Sequence, residues 1–216
     1  MSGESAPDPE LEPGAVADEL AAEFPDLRCA SIAVDAPQGR RDPGIAERLA
    51  VLADRFRGRR AVELRREPVP AAYRVFFRHV GLDPEVRRTP IEEAAIVRLV
   101  EGGYRGGTVL DDALLLALLE TGVPVTALDA AAVAGAPGLR LAGRGERIGA
   151  SALPAGRIVL ADAQRALGEL FGQIAPEALP GRATARLRLV AVGIPGVPAI
   201  HVEEALWTCQ EALTLA

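Results

Sequence analysis

The sequence of 216 residues predicts an α/β fold, and three stretches carry that reading. Residues 28–34 (RCASIAV) alternate, with Cys29, Ser31 and Ala33 on one face and Ala30, Ile32 and Val34 on the other. Both faces are mostly apolar, the pattern of a strand covered on two sides. The run ALLLALLETG (113–122) is apolar on nearly every face, which predicts a helix buried on most sides, and a short strand, VPVTAL (123–128), follows at once. Residues 182–192 (RATARLRLVAV) alternate again, with Arg182, Thr184, Arg186 and Arg188 on one side, predicting a half-exposed strand with a basic outer face.

Taken in order, residues 1–13 are polar, acidic and proline-rich and read as a disordered tail, followed by a single domain over 14–216. Val16, Leu20 and Phe24 recur every four residues and predict a helix from 14 to 24 that Pro25 stops. Ile45, Leu49, Leu52 and Phe56 mark a second helix. The basic run Arg55–Arg60 at its end suits the negative end of the helix dipole, or a phosphate-facing patch. Pro70 fits the first turn of a third helix, whose apolar side is Tyr73, Phe76, Phe77 and Val80. Thr89 as N-cap, Pro90 at the first position and Glu92 three residues on make a capping box for a fourth helix, ended by Gly102-Gly103. Thr108 or Asp111 caps the leucine-rich helix, with Asp112 in its first turn.

Beyond the 123–128 strand, Asp129 starts a short helix. Residues 139–142 and 147–148 predict two short strands, or a bent ribbon, about the glycine turn 143–146. Residues 157–161 (RIVLA) form an inner strand ended by Asp162, and QRALGELFG (164–172) reads as helical. In the last helix Val202, Ala205, Leu206, Cys209 and Leu213 share one stripe, fit for the core or for a partner.

Composition narrows the function. There are 30 acidic residues against 24 basic ones, all of them Arg, for a formal charge of −6. Wholesale binding to a nucleic-acid backbone needs a basic surplus, so any such contact must be a local patch, and DNA is not an expected partner. Scarce aromatics argue against a base-stacking platform. Cys29 and Cys209 are isolated and read as small buried hydrophobes of a reducing compartment. No basic start precedes an apolar run, and the longest apolar run is too short to span a bilayer, so a cytoplasmic location is expected, without membrane contact. His79 and His201 are far apart, which supports neither a histidine zinc site nor a Ser-His-Asp triad. Gly106-Gly107 lacks the phosphate-loop pattern. No metal or cofactor is implied.

Four segments, YRVFFRHVGLDPEVRRTPIEEA (73–94), VLDDALLLALLETGVPVTALD (109–129), GLRLAGRGERIG (138–149) and GRIVLAD (156–162), resemble in order and spacing the B3/B4 domain, the editing module of the phenylalanyl-tRNA synthetase beta subunit, which also occurs as small free-standing proteins. The resemblance covers about residues 26–162. It implies a three-layer α/β domain with a mixed sheet flanked by helices and a pocket beside the sheet. It also implies a free-standing protein that binds aminoacyl-tRNA and hydrolyses mischarged aminoacyl esters in trans. On this reading Glu146 orients the water or the amino group, and Asp112 is the second catalytic acid. Arg74, Arg88, Asp129, Arg140 and Asp162 match further family positions. Arg186 and Arg188, from the basic strand face, complete the binding set. Where the family places an Asn and a Ser after Asp112, Leu115 and Leu118 stand here. That departure, with the acidic balance, supports an alternative: the same fold binding an amino-acid-like small molecule without editing. An interaction module built on the last helix is the third reading.

Overall fold

The computed structural model describes residues 10–37, 42–55, 63–104 and 107–215. Strands β1 (Glu12–Gly14), β2 (Arg28–Asp35) and β3 (Val125–Asp129) join β9 (Arg186–Gly193) in one antiparallel sheet of order β1-β2-β9-β3. A strand from the end of the chain therefore sits inside this sheet. Register places Ile32, Leu189 and Ala127 side by side on one face, and Ser31, Val190 and Thr126 on the other.

The first face is covered by helices. Helix α6 (Ala199–Thr214) lies on this sheet and along α5 (Val109–Thr121), while α2 (Pro43–Arg55) packs on the far side of α5. Enclosed in this way, α5 buries Ala113, Leu116 and Ala117 completely, which accounts for its apolar character all round. The expected stripe of α6 is core: Val202, Ala205, Leu206, Cys209 and Leu213 are all buried. Both cysteines are buried and free.

The remaining helices are α1 (Asp18–Glu23), α3 (Pro68–His79) and α4 (Pro90–Glu101). The Thr89–Glu92 capping box forms as the sequence predicts, and Gly102 ends α4 in the left-handed conformation. Thr108 and Asp111 make a second box at the start of α5.

A second antiparallel sheet has the order β4-β7-β8, from β4 (Gly138–Leu141), β7 (Ile158–Ala161) and β8 (Ala166–Glu169). Strands β5 (Arg147–Ile148) and β6 (Ser151–Ala152) pair separately. The two larger sheets are joined by a parallel bridge, Val16 to Leu139, with Leu139 N donating to Ala15 O at 2.8 Å and Ala17 N to Leu139 O at 2.9 Å. Backbones meet this closely only because Gly14 and Gly138 lack Cβ atoms, which would collide with Pro137 O and Ala15 O.

Several sequence expectations change. Residues 12–14 are an edge strand rather than part of a tail, and α1 begins only at Asp18 because Val16 is committed to the bridge. Every ladder among the described residues is antiparallel, and the Val16–Leu139 bridge is the one parallel pair, where a mixed sheet was expected. Of the two alternatives for residues 139–148, the two short strands form, as β4 and β5, but they pair with β7 and β6 and not with each other, so there is no ribbon. The stretch read as a helix at 164–172 is β8 and a turn. The Asp162 carboxylate accepts the N–H groups of Gln164 and Arg165 and folds the chain back onto β7. β9 begins at Arg186 and keeps the expected half-exposed alternation only through Arg188; from Leu189 to Gly193 it is buried throughout. Asp129 opens only a single 3₁₀ turn, Ala130–Ala132. The basic run beyond Arg55 lies outside the described residues.

Candidate functional site

A pocket of about 200 Å³ opens on the face of the first sheet opposite α5 and α6. Its floor is Thr126 of β3 with Val190 and Val192 of β9, and its wall is Leu160 of β7 with the turn that follows β8. Alternation along β3 and β9 aims these side chains to one side of the sheet. Pro90, at the start of α4, and Pro124 close the rim.

The turn carries the unusual geometry. Phe171 has φ 55°, the one non-glycine residue with positive φ among those described. A bulky residue in that region costs about 1–3 kcal/mol and needs its surroundings to hold it there. Its ring stacks on Phe77 at 5.2 Å and meets Tyr73 and Phe76 edge-on at 5.6 and 6.3 Å. Its carbonyl accepts Arg87 Nη2 at 2.6 Å. Glu169 stands beside it, bound by Arg157 Nε at 3.0 Å and facing Arg87 Nη1 at 3.8 Å. Gly172 completes the turn, since a Cβ there would come within 2.6 Å of Glu169 Oε2 and 2.9 Å of Arg87 Nη2. The pocket is thus mostly apolar, with one fixed carboxylate and one hydroxyl.

The residues expected from sequence fall in separate places. Arg140, on β4, is bonded to Glu146 and lies within electrostatic reach of Asp162. Arg140 donates to both carboxylate oxygens of Glu146, at 2.8 and 2.5 Å, and Gly143 N donates at 2.9 Å. The Arg140 hydrogen bonds, helped by Gly143, hold the Glu146 carboxyl down at about 2 against the cost of partial burial. A carboxylate so stabilised is a poor proton acceptor near neutral pH. Burial disfavours the charge of Asp162, but the N–H groups of Ala134, Gln164 and Arg165 keep its carboxyl below the usual range. Both acids therefore work as structural acceptors.

Arg74 and Arg88 share another cleft. Arg74 is buried and bonded to Glu92 at 2.6 Å and to Glu85. Asp129 caps its 3₁₀ turn through Ala131 N at 3.0 Å and accepts Thr184 Oγ1 at 2.7 Å. Arg186 faces Asp35 at 3.5 Å and Arg188 faces Glu12 at 2.7 Å, so acids meet the expected basic strand face. Asp112 is 1% exposed in the first turn of α5. Leu115 and Leu118 pack against the core, and neither they nor Asp112 nor Glu146 line the pocket.

Burial pushes both thiols up to about 12, so neither is a nucleophile at neutral pH. Among the described residues no group of three or more His, Cys, Asp or Glu is arranged to hold a metal, and no helix is long and apolar enough to cross a membrane. Comparison with protein-family models and with curated proteins finds no match.

Sequence reasoning passed over Thr126, Glu169, Phe171 and Arg87. Reading 164–172 as a helix hid Glu169 and Phe171. Thr126 did carry a signal, as the polar residue within an otherwise apolar strand. Arg87 was overlooked beside Arg88, although the two adjacent side chains serve different clefts.

Proposed function

We propose that this chain is a B3/B4-type domain whose pocket over Thr126 receives the aminoacyl group of a charged tRNA. The observation that carries the reading is the pocket itself. At about 200 Å³ it falls below the ~300–1,000 Å³ of clefts for drug-sized ligands, a size suited to one small side chain. Val190, Val192, Leu160 and Phe171 would enclose an apolar side chain. Glu169 would receive the amino group, and Thr126 would offer a hydroxyl to the carbonyl. The resemblance of residues 73–162 to the B3/B4 motifs supports the same ligand chemistry. The reading is one of binding first. Hydrolysis would require a water activated in the pocket, and Glu146 is neither there nor basic enough to do it.

A second source of the same chemistry, a free amino acid, is favoured by a separate observation. Arg186 and Arg188 face acids, which weakens the basic face that an RNA would need.

Calorimetric titration with charged tRNAs and free apolar amino acids at low salt, on wild type and Thr126→Phe, tests the proposal. Binding of charged tRNA well above uncharged tRNA, lost in the variant, supports the tRNA reading. Binding of the free amino acid alone selects the second source. If neither ligand binds, the pocket has another purpose and the proposal fails. Deacylation assays on the same tRNAs report turnover.

A further inference from the structure

We propose a second ligand site, for the phosphate of a nucleotide, in the cleft between α4 and the 84–88 turn. The cleft measures about 190 Å³ and combines three guanidinium groups, from Arg65, Arg74 and Arg88, and two carboxylates with the apolar side chains of Ala95, Ile96 and Leu99.

The three arginines are not equivalent. Arg74 is buried and committed to Glu92 and Glu85. Glu92 is committed in turn, because it also accepts Thr89 N at 3.2 Å and Thr89 Oγ1 at 2.9 Å in the capping box. Arg74 is thus shared between two carboxylates, and the three arginines of the cleft outnumber Glu85 and Glu92 by one positive charge. Arg65 comes no nearer to Glu92 than 3.7 Å, beyond hydrogen-bond reach, and Arg88 meets Glu93 at 3.5 Å. Both side chains are about half exposed. Ion pairs that long and that exposed contribute little, so both guanidinium forks can turn to a better acceptor. Phosphate oxygens match such forks in charge and geometry.

The apolar side of the cleft selects the rest of the ligand. Ile96 and Leu99 remain 37% and 46% exposed on α4. A bare anion would leave them uncovered, and a purely apolar molecule would leave two arginines with only their long, exposed ion pairs. A nucleotide has both parts, a phosphate for Arg65 and Arg88 and a flat base for the α4 side chains.

The two sites share one wall. Arg87 and Pro90 serve the aminoacyl pocket, whereas Arg88 and Glu92 line the cleft. A ligand with an aminoacyl group on one side of this segment and nucleotides on the other would engage both. That link rests on the aminoacyl reading; the phosphate site itself does not.

The test is calorimetric titration with adenosine monophosphate and with adenosine, on wild type, Arg65→Ala/Arg88→Ala and Arg65→Lys/Arg88→Lys. The monophosphate should bind far more tightly than adenosine. The alanine pair should weaken it by about tenfold or more, and the lysine pair should recover part of that loss. A free apolar amino acid titrated into the alanine pair should bind as in wild type. Thr126→Phe should show the reverse pattern, with the monophosphate retained and the amino acid lost. Equal binding of adenosine and its monophosphate, or a monophosphate affinity unchanged in the alanine pair, would overturn the site. Failure of the amino-acid arm alone would remove the free amino acid as a source, and failure of both that arm and charged tRNA would sink the aminoacyl reading; either leaves the phosphate site standing.

Discussion

At the scale of single residues, charge is mostly spent inside the fold. Glu146 takes two N–H groups from Arg140 and one from Gly143, and its carboxyl sits at about 2, against an ordinary value of 4.5. A folded-state value below the unfolded one means stability that is complete above about pH 4.5 and lost as the pH falls towards 2. Because the pair is partly exposed, its contribution is about 1–2 kcal/mol rather than the full shift. Denaturant unfolding at pH 6 and pH 3 should show Glu146→Gln less stable than wild type at the higher pH, with most of that gap closed at the lower. Any deacylation of charged tRNA should survive this substitution in a still-folded protein. Loss of turnover with folding intact would return Glu146 to the chemistry. A sequence can show that an acid follows a glycine turn. It cannot show that an arginine six residues earlier reaches back to grip it.

At the scale of elements, the legible parts were those whose cause is local. The Thr89-Pro90-x-Glu92 start of α4 and the leucine-rich α5 need only neighbouring residues to explain them, and both form as expected. The 164–172 segment failed because its helix-like spacing outweighed the turn before it: the Asp162 carboxylate turns the chain within three residues, and β7, which ends at Ala161, supplies the pairing. Misreading that segment concealed the pocket wall. The turn it contains yields a sharp expectation about Phe171. Alanine there loses the ring contacts with Phe77, Tyr73 and Phe76 and still has to hold φ 55°. Glycine loses the same contacts but adopts that φ freely. Phe171→Gly should therefore be more stable than Phe171→Ala by about 1 kcal/mol, inverting the usual order of the two substitutions. Thermal unfolding of both variants decides it. An alanine variant as stable as the glycine one would mean that the turn relaxes, and that its conformation is not enforced by Arg87 and the ring cluster.

At the scale of the molecule, the order of strands in the first sheet governs what can be removed. β9 lies between β2 and β3, yet it comes from the end of the chain, and α6 follows it immediately onto the same sheet. Gly193 at the end of β9 leaves room for Val202 of α6, whose Cγ2 would lie 2.9 Å from a Cβ at that position. Ile32, Leu189 and Ala191, all fully buried or nearly so, have α6 as part of their cover. Deleting residues 198–216 would expose that face together with the side of α5 that packs on α6. Each buried aliphatic side chain uncovered in this way forfeits about 1.5–3 kcal/mol, and three or four of them, such as Ile32 and Leu189 of the sheet and Leu116 of α5, approach the whole stability of a domain. The truncated chain should therefore lose its cooperative unfolding transition and bind an apolar dye such as ANS. A detachable partner-binding helix predicts the opposite, a truncated protein that melts cooperatively near the wild-type temperature. The buried stripe of α6 favours the first outcome, and calorimetry on the truncated chain separates the two.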